Sequence, residues 1–366
     1  MIALRVVVGI AGTLLVLFTA MSAVKTFVLP RGEPTRISRV VFIAVRGVFN
    51  LRMRSMDDFY ERDHIFALYA PVTLLLLPLV WLVTVGTGFA AIYWALGNNS
   101  FWNATQESGS ALFTLGTIHP SGVDQSLLTY AEAGLGLGLL AVLIAYLPAM
   151  YGAFQRRELV VTLLDVRANT PPTATRMIER YYIIHGLDQL QLLWPQWEQW
   201  FADIEESHTS LGAMSFFRSP HADRSWITAA GAVLDAASFV VSSVDIERTP
   251  SAQVCIRAGY VALRGIADLF DIPFDPDPRP DGPISVTREE YDGMWDYLAD
   301  VGVPLKPDRE QAWKDFQGWR VNYDQPLIGL CGFLMAPPAP WSSDRAMPYR
   351  RPKVRMRHRK HAPVSS

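Results

Sequence analysis

The sequence is poor in cysteine and lacks the motifs of common enzymes. Its 366 residues include two cysteines, Cys255 and Cys331. That number excludes a disulfide framework and a CxxC metal motif, and it fits a reducing compartment. An HExxH helix, a GxSxG turn, a P-loop and the glycine pattern of a dinucleotide-binding fold are also missing. The sequence therefore predicts no enzyme, no metal site and no cofactor.

A membrane-tethered hydrolase is the enzyme alternative, and it would need some of the polar residues in the second half of the chain. No spacing among them predicts a catalytic site, so surface carboxylates and capped helix ends account for them better. The candidates are His185, Asp188, Glu205, Glu206, His208, Arg218, His221, Asp223, Arg224 and Asp235.

Charge is distributed unevenly along the chain. Charged residues make up 19% of the sequence and the net charge is −2, which resembles a soluble protein. They are nearly absent, however, from Phe66–Glu107 and Leu127–Phe154, dense in Pro30–Asp63 and mixed after Gln155. This pattern predicts a membrane half followed by an aqueous half.

Three apolar stretches are candidate membrane spans. Val6–Leu29 would reach about 36 Å as a helix, enough to cross roughly 30 Å of hydrocarbon. A cleaved signal peptide is the alternative, but this apolar region is too long, so residues 1–29 are predicted to be an uncleaved anchor. Phe66–Leu96 is too short for two crossings and predicts one helix, kinked or tilted. Leu127–Phe154 is the third span.

The distribution of arginine among the connections predicts the orientation of these spans. The connection 30–65 contains seven arginines, whereas Gly97–Ser126 contains no lysine or arginine. The positive-inside rule then predicts a multi-pass protein of the plasma membrane, with its N-terminus outside and its C-terminal domain in the cytoplasm. Within this basic connection, Ile37–Leu51 predicts a helix that lies on the inner interface or packs on the cytoplasmic domain.

A short amphiphilic segment separates the second and third spans. The half-helix predicted at about 101–113 is too short to cross the membrane, so it should return to the side it left. Its C-terminal end would point a partial negative charge into the membrane, which favours a cation. The sequence thus predicts a pore loop at 98–123 within a pore module at 66–157.

The segment Ala111–Pro120, followed by a glycine-rich helix ending in Phe154-Gln-Arg-Arg-Glu158, resembles the pore module of two-helix potassium channels and related bacterial potassium channel-like proteins. The resemblance covers about 66–167. It implies a homotetramer that conducts monovalent cations through a selectivity filter. The implied filter residues are Thr114, Leu115, Gly116, Thr117, Ile118 and His119.

The match to that filter is partial. Thr114 corresponds to its innermost threonine, Leu115 to the following apolar residue and Gly116 to its first glycine. Thr117 replaces an aromatic residue, Ile118 the second glycine and His119 an acidic residue. A β-branched Ile118 is a poor occupant of a position with φ above zero, so the outer half should not copy the potassium-selective geometry. His119 would add a group that titrates near neutral pH.

Two features of the third span could support the filter. Glu132 could brace it by hydrogen bonding or pair with His119, or it could be a plain interfacial carboxylate. Gly134, Gly136 and Gly138 could form a gating hinge or allow close packing against a neighbouring helix.

The remainder predicts an aqueous, all-α half. Residues 158–173 read as a stalk and linker, and 174–336 as a helical cytoplasmic domain in which Pro195 interrupts the first helix and Ser225 caps another. Thr287–Glu290 predicts a capping box. The tail at 337–366 is basic and predicted to be disordered, and it would bind anionic lipids of the inner leaflet; nucleic acid is the weaker alternative.

Taken together, these features predict an all-α protein with a three-span membrane domain, a re-entrant pore loop and an all-α cytoplasmic domain. The predicted function is a potassium channel-like cation channel regulated by that domain. A non-conducting, membrane-anchored sensor or scaffold is the alternative.

Overall fold

A computed structural model of the protein describes residues 2–27, 35–97, 100–118, 122–248 and 250–346. His119, the side chain of His185 and tail residues 347–366 lie outside the described residues. The prediction of an all-α chain is confirmed for the described part, where the only β pairing is an isolated bridge between Val244 and Leu305.

The described residues form thirteen α-helices and divide into two compact units. One unit comprises 1–162 and 206–222, and the other comprises 163–205 and 223–366. The helices, in chain order, are α1 (Ile2–Phe27), α2 (Arg36–Met53), α3 (Phe59–Phe66), α4 (Tyr69–Leu96), α5 (Phe101–Leu112), α6 (Val123–Ala168), α7 (Ala174–Arg180), α8 (Leu190–Ser210), α9 (Trp226–Ser243), α10 (Pro250–Leu269), α11 (Arg288–Val301), α12 (Arg309–Arg320) and α13 (Asp324–Leu334).

Four helical stretches are long and apolar enough to cross a membrane, and they indicate a membrane-embedded protein. Three of them, Ile2–Thr26, Phe59–Leu96 and Val123–Ala168, correspond to the predicted spans. The fourth, α9, was not predicted as a span. In α9, 94% of an 18-residue apolar stretch is buried inside the protein, whereas in α1 and α6 only 17% of the corresponding stretch is buried. A helix that is apolar all round is expected in such a core.

Glycines allow α1 and α4 to pack closely in the first unit. A Cβ on Gly12 would lie 2.5 Å from the carbonyl oxygen of Gly88, and one on Gly88 would lie 2.7 Å from Cγ2 of Val16. Neither position has room for a side chain. Small residues at membrane-helix interfaces commonly serve this purpose.

Segment 206–222 packs within the first unit, whereas the sequence assigned it to the cytoplasmic domain. The cause is a buried arginine of α6. The guanidinium of Arg157 donates hydrogen bonds to the carbonyl oxygens of Met214 (2.9 Å) and Phe217 (2.8 Å) and to Glu158 (2.9 Å), and it lies 3.3 Å from Nε2 of His208. Arg157 is 1% exposed. A charge buried this completely requires such a set of acceptors.

An aromatic cluster attaches the same segment to α2 and α4. The ring of Tyr69 contacts those of Phe42, Phe66 and Phe216 at centroid distances of 6.3, 5.1 and 5.2 Å. Its hydroxyl donates to the carbonyl oxygen of Phe42 (3.2 Å). Helix α2, predicted to lie on the membrane interface or pack on the cytoplasmic domain, thus uses Phe42 to contact other residues of the first unit.

Helix α9 forms the core of the second unit, where α7, α10, α12 and α13 contact it. Arg320 of α12 is fully buried and forms ion pairs with Asp235 of α9 and with Asp324 (2.8 Å). The Tyr323 hydroxyl also donates to Asp235 (2.9 Å).

The predicted capping box is confirmed, since the Thr287 side chain accepts from Glu290 N while Glu290 accepts from Thr287 N.

Three local predictions need correction. Pro195 lies inside α8, and the chain instead breaks before that helix at Gly186, whose φ of +81° is incompatible with a continuous helix. Ser225 occupies the N-cap position of α9 but makes no side-chain cap hydrogen bond. Residues 337–346, predicted as disordered tail, are folded, because Ser342 is buried and Arg345 donates to the carbonyl oxygen of Ser285 (3.0 Å).

Candidate functional site

Helix α5 lies between two candidate spans and is too short to be one. Its 12 residues reach about 18 Å at roughly 1.5 Å per residue, whereas a crossing needs about 20 residues. The helix begins after Ser100, whose side chain accepts from Trp102 N (3.2 Å). One face packs against α4, and Ala104, Ser108, Ala111 and Leu112 are buried.

A buried hydroxyl and a buried carboxylate fix α5 between α4 and α6. Ser108 Oγ lies 2.9 Å from the carbonyl oxygen of Gly86 and 2.5 Å from Oε1 of Glu132. Glu132 is fully buried. The predicted bracing role of Glu132 requires such a contact between α6 and the short helix, and that role stays a prediction.

The three glycines of α6 differ in their surroundings. A Cβ on Gly136 would lie 2.4 Å from the carbonyl oxygen of Leu112, the last residue of α5, whereas Gly134 and Gly138 have no atom within 4 Å of that position. Gly136 therefore allows α6 to approach the end of α5. The helix runs unbroken through all three glycines, so the hinge stays a prediction.

The turn after α5 holds the described residues of the predicted filter. Its backbone folds back on the helix end through hydrogen bonds from Thr114 N to Ala111 O (3.0 Å) and from Leu115 N to Ser110 O (2.9 Å). The Ser110 hydroxyl then accepts from the backbone N of Thr117 (3.0 Å) and of Ile118 (3.3 Å). One serine thus fixes the described end of the segment.

Backbone φ alternates in sign along this turn. Thr114 (+53°) and Gly116 (+66°) have positive φ, whereas Leu115, Thr117 and Ile118 do not. The prediction that Ile118 is unsuited to positive φ agrees with this backbone. A positive φ at a β-branched threonine is uncommon and costs of order 1–2 kcal/mol. Residues 113–118 are exposed, whereas the Ser108, Ser110 and Glu132 side chains behind them are buried.

The two serines were part of the segment singled out from the sequence, but neither was assigned a role. The available signal was their position: two hydroxyls two residues apart in a helix that has one charged residue, Glu107, and is too short to span. A hydroxyl buried among apolar helices needs a partner, and here the partners are the filter segment and Glu132.

Four of the polar residues considered for a hydrolase make structural contacts. In the first unit, His208 contacts Arg157, and Arg218 pairs with Asp63 (3.3 Å). In the second unit, Arg224 pairs with Asp165 and Asp235 with Arg320. Among the described residues, no group of three or more His, Cys, Asp or Glu side chains could hold a metal ion.

Replacing Gly136 by alanine is expected to destabilise the protein by about 1–3 kcal/mol, because the added methyl group meets backbone rather than a movable side chain. Gly134→Ala and Gly138→Ala are matched controls on the same helix, with open space at the same atom. The measurement is thermal unfolding of the purified protein in detergent. Equal melting temperatures for the three variants would contradict the close contact at Leu112.

All of the contacts given above for α5 and the turn after it are formed between residues of one chain. Comparison with protein-family models, curated proteins and solved structures finds no match.

Proposed function

We propose that the protein is a pore-loop cation channel assembled from four copies of the chain, with the turn after α5 lining the ion pathway. The observation that carries this proposal is the combination of a helix too short to span, placed between two candidate spans, and a turn of alternating φ at its C-terminal end. Non-helical backbone at membrane depth is tolerated where protein buries it or where it lines a watery cavity.

The polarity of α5 supports a cation as the permeant ion. The C-terminal end of a helix carries a partial negative charge, and the filter segment follows directly from it. Thr114 and Thr117 add hydroxyl oxygens, and φ alternation changes the direction in which successive carbonyl groups point. Monovalent cations are the expected ions, because ion-selective filters use oxygen atoms of this kind in place of the hydration shell.

The topology belongs to the same proposal. The arginines of 30–65 would lie in the cytoplasm of a plasma-membrane protein, with its N-terminus outside and the second unit inside, where that unit would regulate the pore. The basic tail would bind anionic lipids of the inner leaflet. Neither nucleic acid nor catalysis is part of the proposed function.

Ion flux and oligomeric state test the proposal together. Protein reconstituted in liposomes is expected to give a cation flux, and its mass in mild detergent is expected to be that of four chains. A folded monomer would remove the pore, because one copy of the turn cannot enclose a pathway. A folded tetramer without flux under all pH values and voltages would favour the non-conducting sensor or scaffold.

Thr114 provides a test of the filter assignment. Thr114→Ala removes the hydroxyl and is expected to change the permeability ratio among monovalent cations severalfold, whereas Thr114→Ser keeps the hydroxyl and should change it little. Thr105→Ala is the control, since Thr105 is exposed on α5 and its hydroxyl donates to Phe101 O (2.9 Å). An unchanged ratio in Thr114→Ala would remove Thr114 from the filter.

A further inference from the structure

A cavity of about 320 Å³ lies within the second unit, among α7, α9, α11 and the segment after α13. Its volume is in the range of small-molecule sites. The residues that give it chemical character are Asp235, Glu290, Gly293, Met294, Tyr297 and Trp341. They combine carboxylates with aromatic and thioether side chains, and the channel proposal uses none of them.

Asp235 is the buried carboxylate of this cavity. Its side chain is only 3% exposed, yet the residue lines the cavity. The hydrogen bonds from Arg320 and from the Tyr323 hydroxyl both end on Oδ1. No hydrogen bond from a described residue to Oδ2 accompanies them, so Oδ2 is the carboxylate oxygen that we assign to a ligand.

The charged groups around the cavity favour a cation. Arg320 is shared between Asp235 and Asp324, and Arg345 is shared between Glu290 and Asp344. These two clusters hold four carboxylates and two arginines and so carry an excess of negative charge, and Asp235 and Glu290 are the carboxylates that line the cavity. Arg176 lies over the Tyr297 ring at 5.3 Å, but Glu179 pairs with it (2.7 Å).

The remaining lining suits an apolar body attached to that cation. Met294 is buried, and Trp341 packs edge-on against Phe316 at a centroid distance of 5.9 Å. The Tyr297 hydroxyl donates to Glu179 (2.6 Å), which fixes the orientation of its ring. Aromatic rings also attract cations through their faces.

We propose that this cavity binds a small organic cation with a primary ammonium group on an aromatic body. The ammonium donates a hydrogen bond to Oδ2 of Asp235, and the body packs against Met294, Tyr297 and Trp341. Binding here does not rest on ion conduction, because all of these residues belong to the second unit.

Three probes of similar size and different charge test this proposal on the full-length protein in detergent. Isothermal titration with 2-phenylethylammonium is expected to give saturable binding. 2-Phenylethanol should bind about tenfold more weakly, because a charge-assisted hydrogen bond is lost. Phenylacetate should not bind measurably. Equal binding of the ammonium and the alcohol, or no saturable binding of the ammonium, would overturn the proposal.

Gly293 offers a way to fill the cavity without disturbing the fold. It lies on α11 and lines the cavity, and a Cβ there would meet no atom within 4 Å. Gly293→Phe is expected to abolish ammonium binding while the melting temperature is retained. Ala299→Phe adds the same ring at an exposed position of α11 outside the cavity lining and should bind as the wild type does. Unchanged binding in a folded Gly293→Phe protein would place the ligand elsewhere and overturn the proposal.

Discussion

Arg320→Met is expected to destabilise the second unit by about 3–5 kcal/mol. The substitution leaves Asp235 and Asp324 buried without their shared cation. Burial alone would lower the pKa of Arg320, but the two carboxylates outweigh it and raise that pKa. The guanidinium is therefore charged at every pH at which the protein is folded.

Arg288→Met is the matched control for Arg320→Met. Arg288 also pairs with two carboxylates, Asp292 (3.0 Å) and Glu310 (2.7 Å), but its side chain is 32% exposed. Ion pairs open to water contribute about 0–1 kcal/mol, so the free energy of unfolding of this variant should be close to that of the wild type. The measurement is denaturant unfolding followed by tryptophan fluorescence. Similar losses in the two variants would show that burial does not determine the effect.

A double variant separates an uncompensated charge from lost packing. Arg320→Met combined with Asp235→Asn removes the cation and one of the carboxylates that it neutralises. The combined loss should be smaller than the sum of the two single losses, because Arg320→Met alone strands both Asp235 and Asp324, whereas the double variant strands only Asp324. Strict additivity would mean that Arg320 stabilises the unit by packing alone.

Arg157→Met is expected to release segment 206–222 from the first unit, at a cost of about 3–5 kcal/mol for the broken buried network. The carbonyl oxygens of Met214 and Phe217 lose their donor, and Glu158 loses its counter-charge. The measurement is hydrogen exchange of backbone amides in 206–222, read by mass spectrometry, where a large rise is expected.

Arg156→Met controls for the loss of a positive charge at the same point of α6, since Arg156 is exposed. In the Arg156→Met variant, the backbone amides of 206–222 should exchange at the same rate as in the wild type. If both variants exchange equally, Arg157 does not hold the segment. If exchange rises in Arg157→Met throughout the first unit, the residue supports that whole unit rather than the segment.

The sequence predicted the elements whose signals are local. Long apolar runs with few charges predicted the three membrane spans. Thr287 with Glu290 predicted the capping box, because the groups that form it are three residues apart. The length of α5 was also predictable, since a short polar interval between two long apolar stretches leaves room for nothing longer. Each of these features depends on neighbours along the chain.

The missed features depend on residues that are distant in sequence. Arg157 and His208 are 51 residues apart, and Asp235 and Arg320 are 85 apart, so nothing near either arginine indicates its burial. The apolar composition of α9 was recognised as helical, but a helix in a core and a helix in a membrane differ in what surrounds them rather than in composition. The partners of Ser108 and Ser110 likewise became evident only from the folded chain.

The buried contacts of Arg157 also bear on how the protein can be divided. A fragment ending after α6 would keep the arginine and lose the Met214 and Phe217 carbonyls that bind it. A fragment beginning at 158 would carry Met214 and Phe216 with their apolar partners removed. A single cut between 157 and 206 therefore separates segment 206–222 from the residues of its own unit.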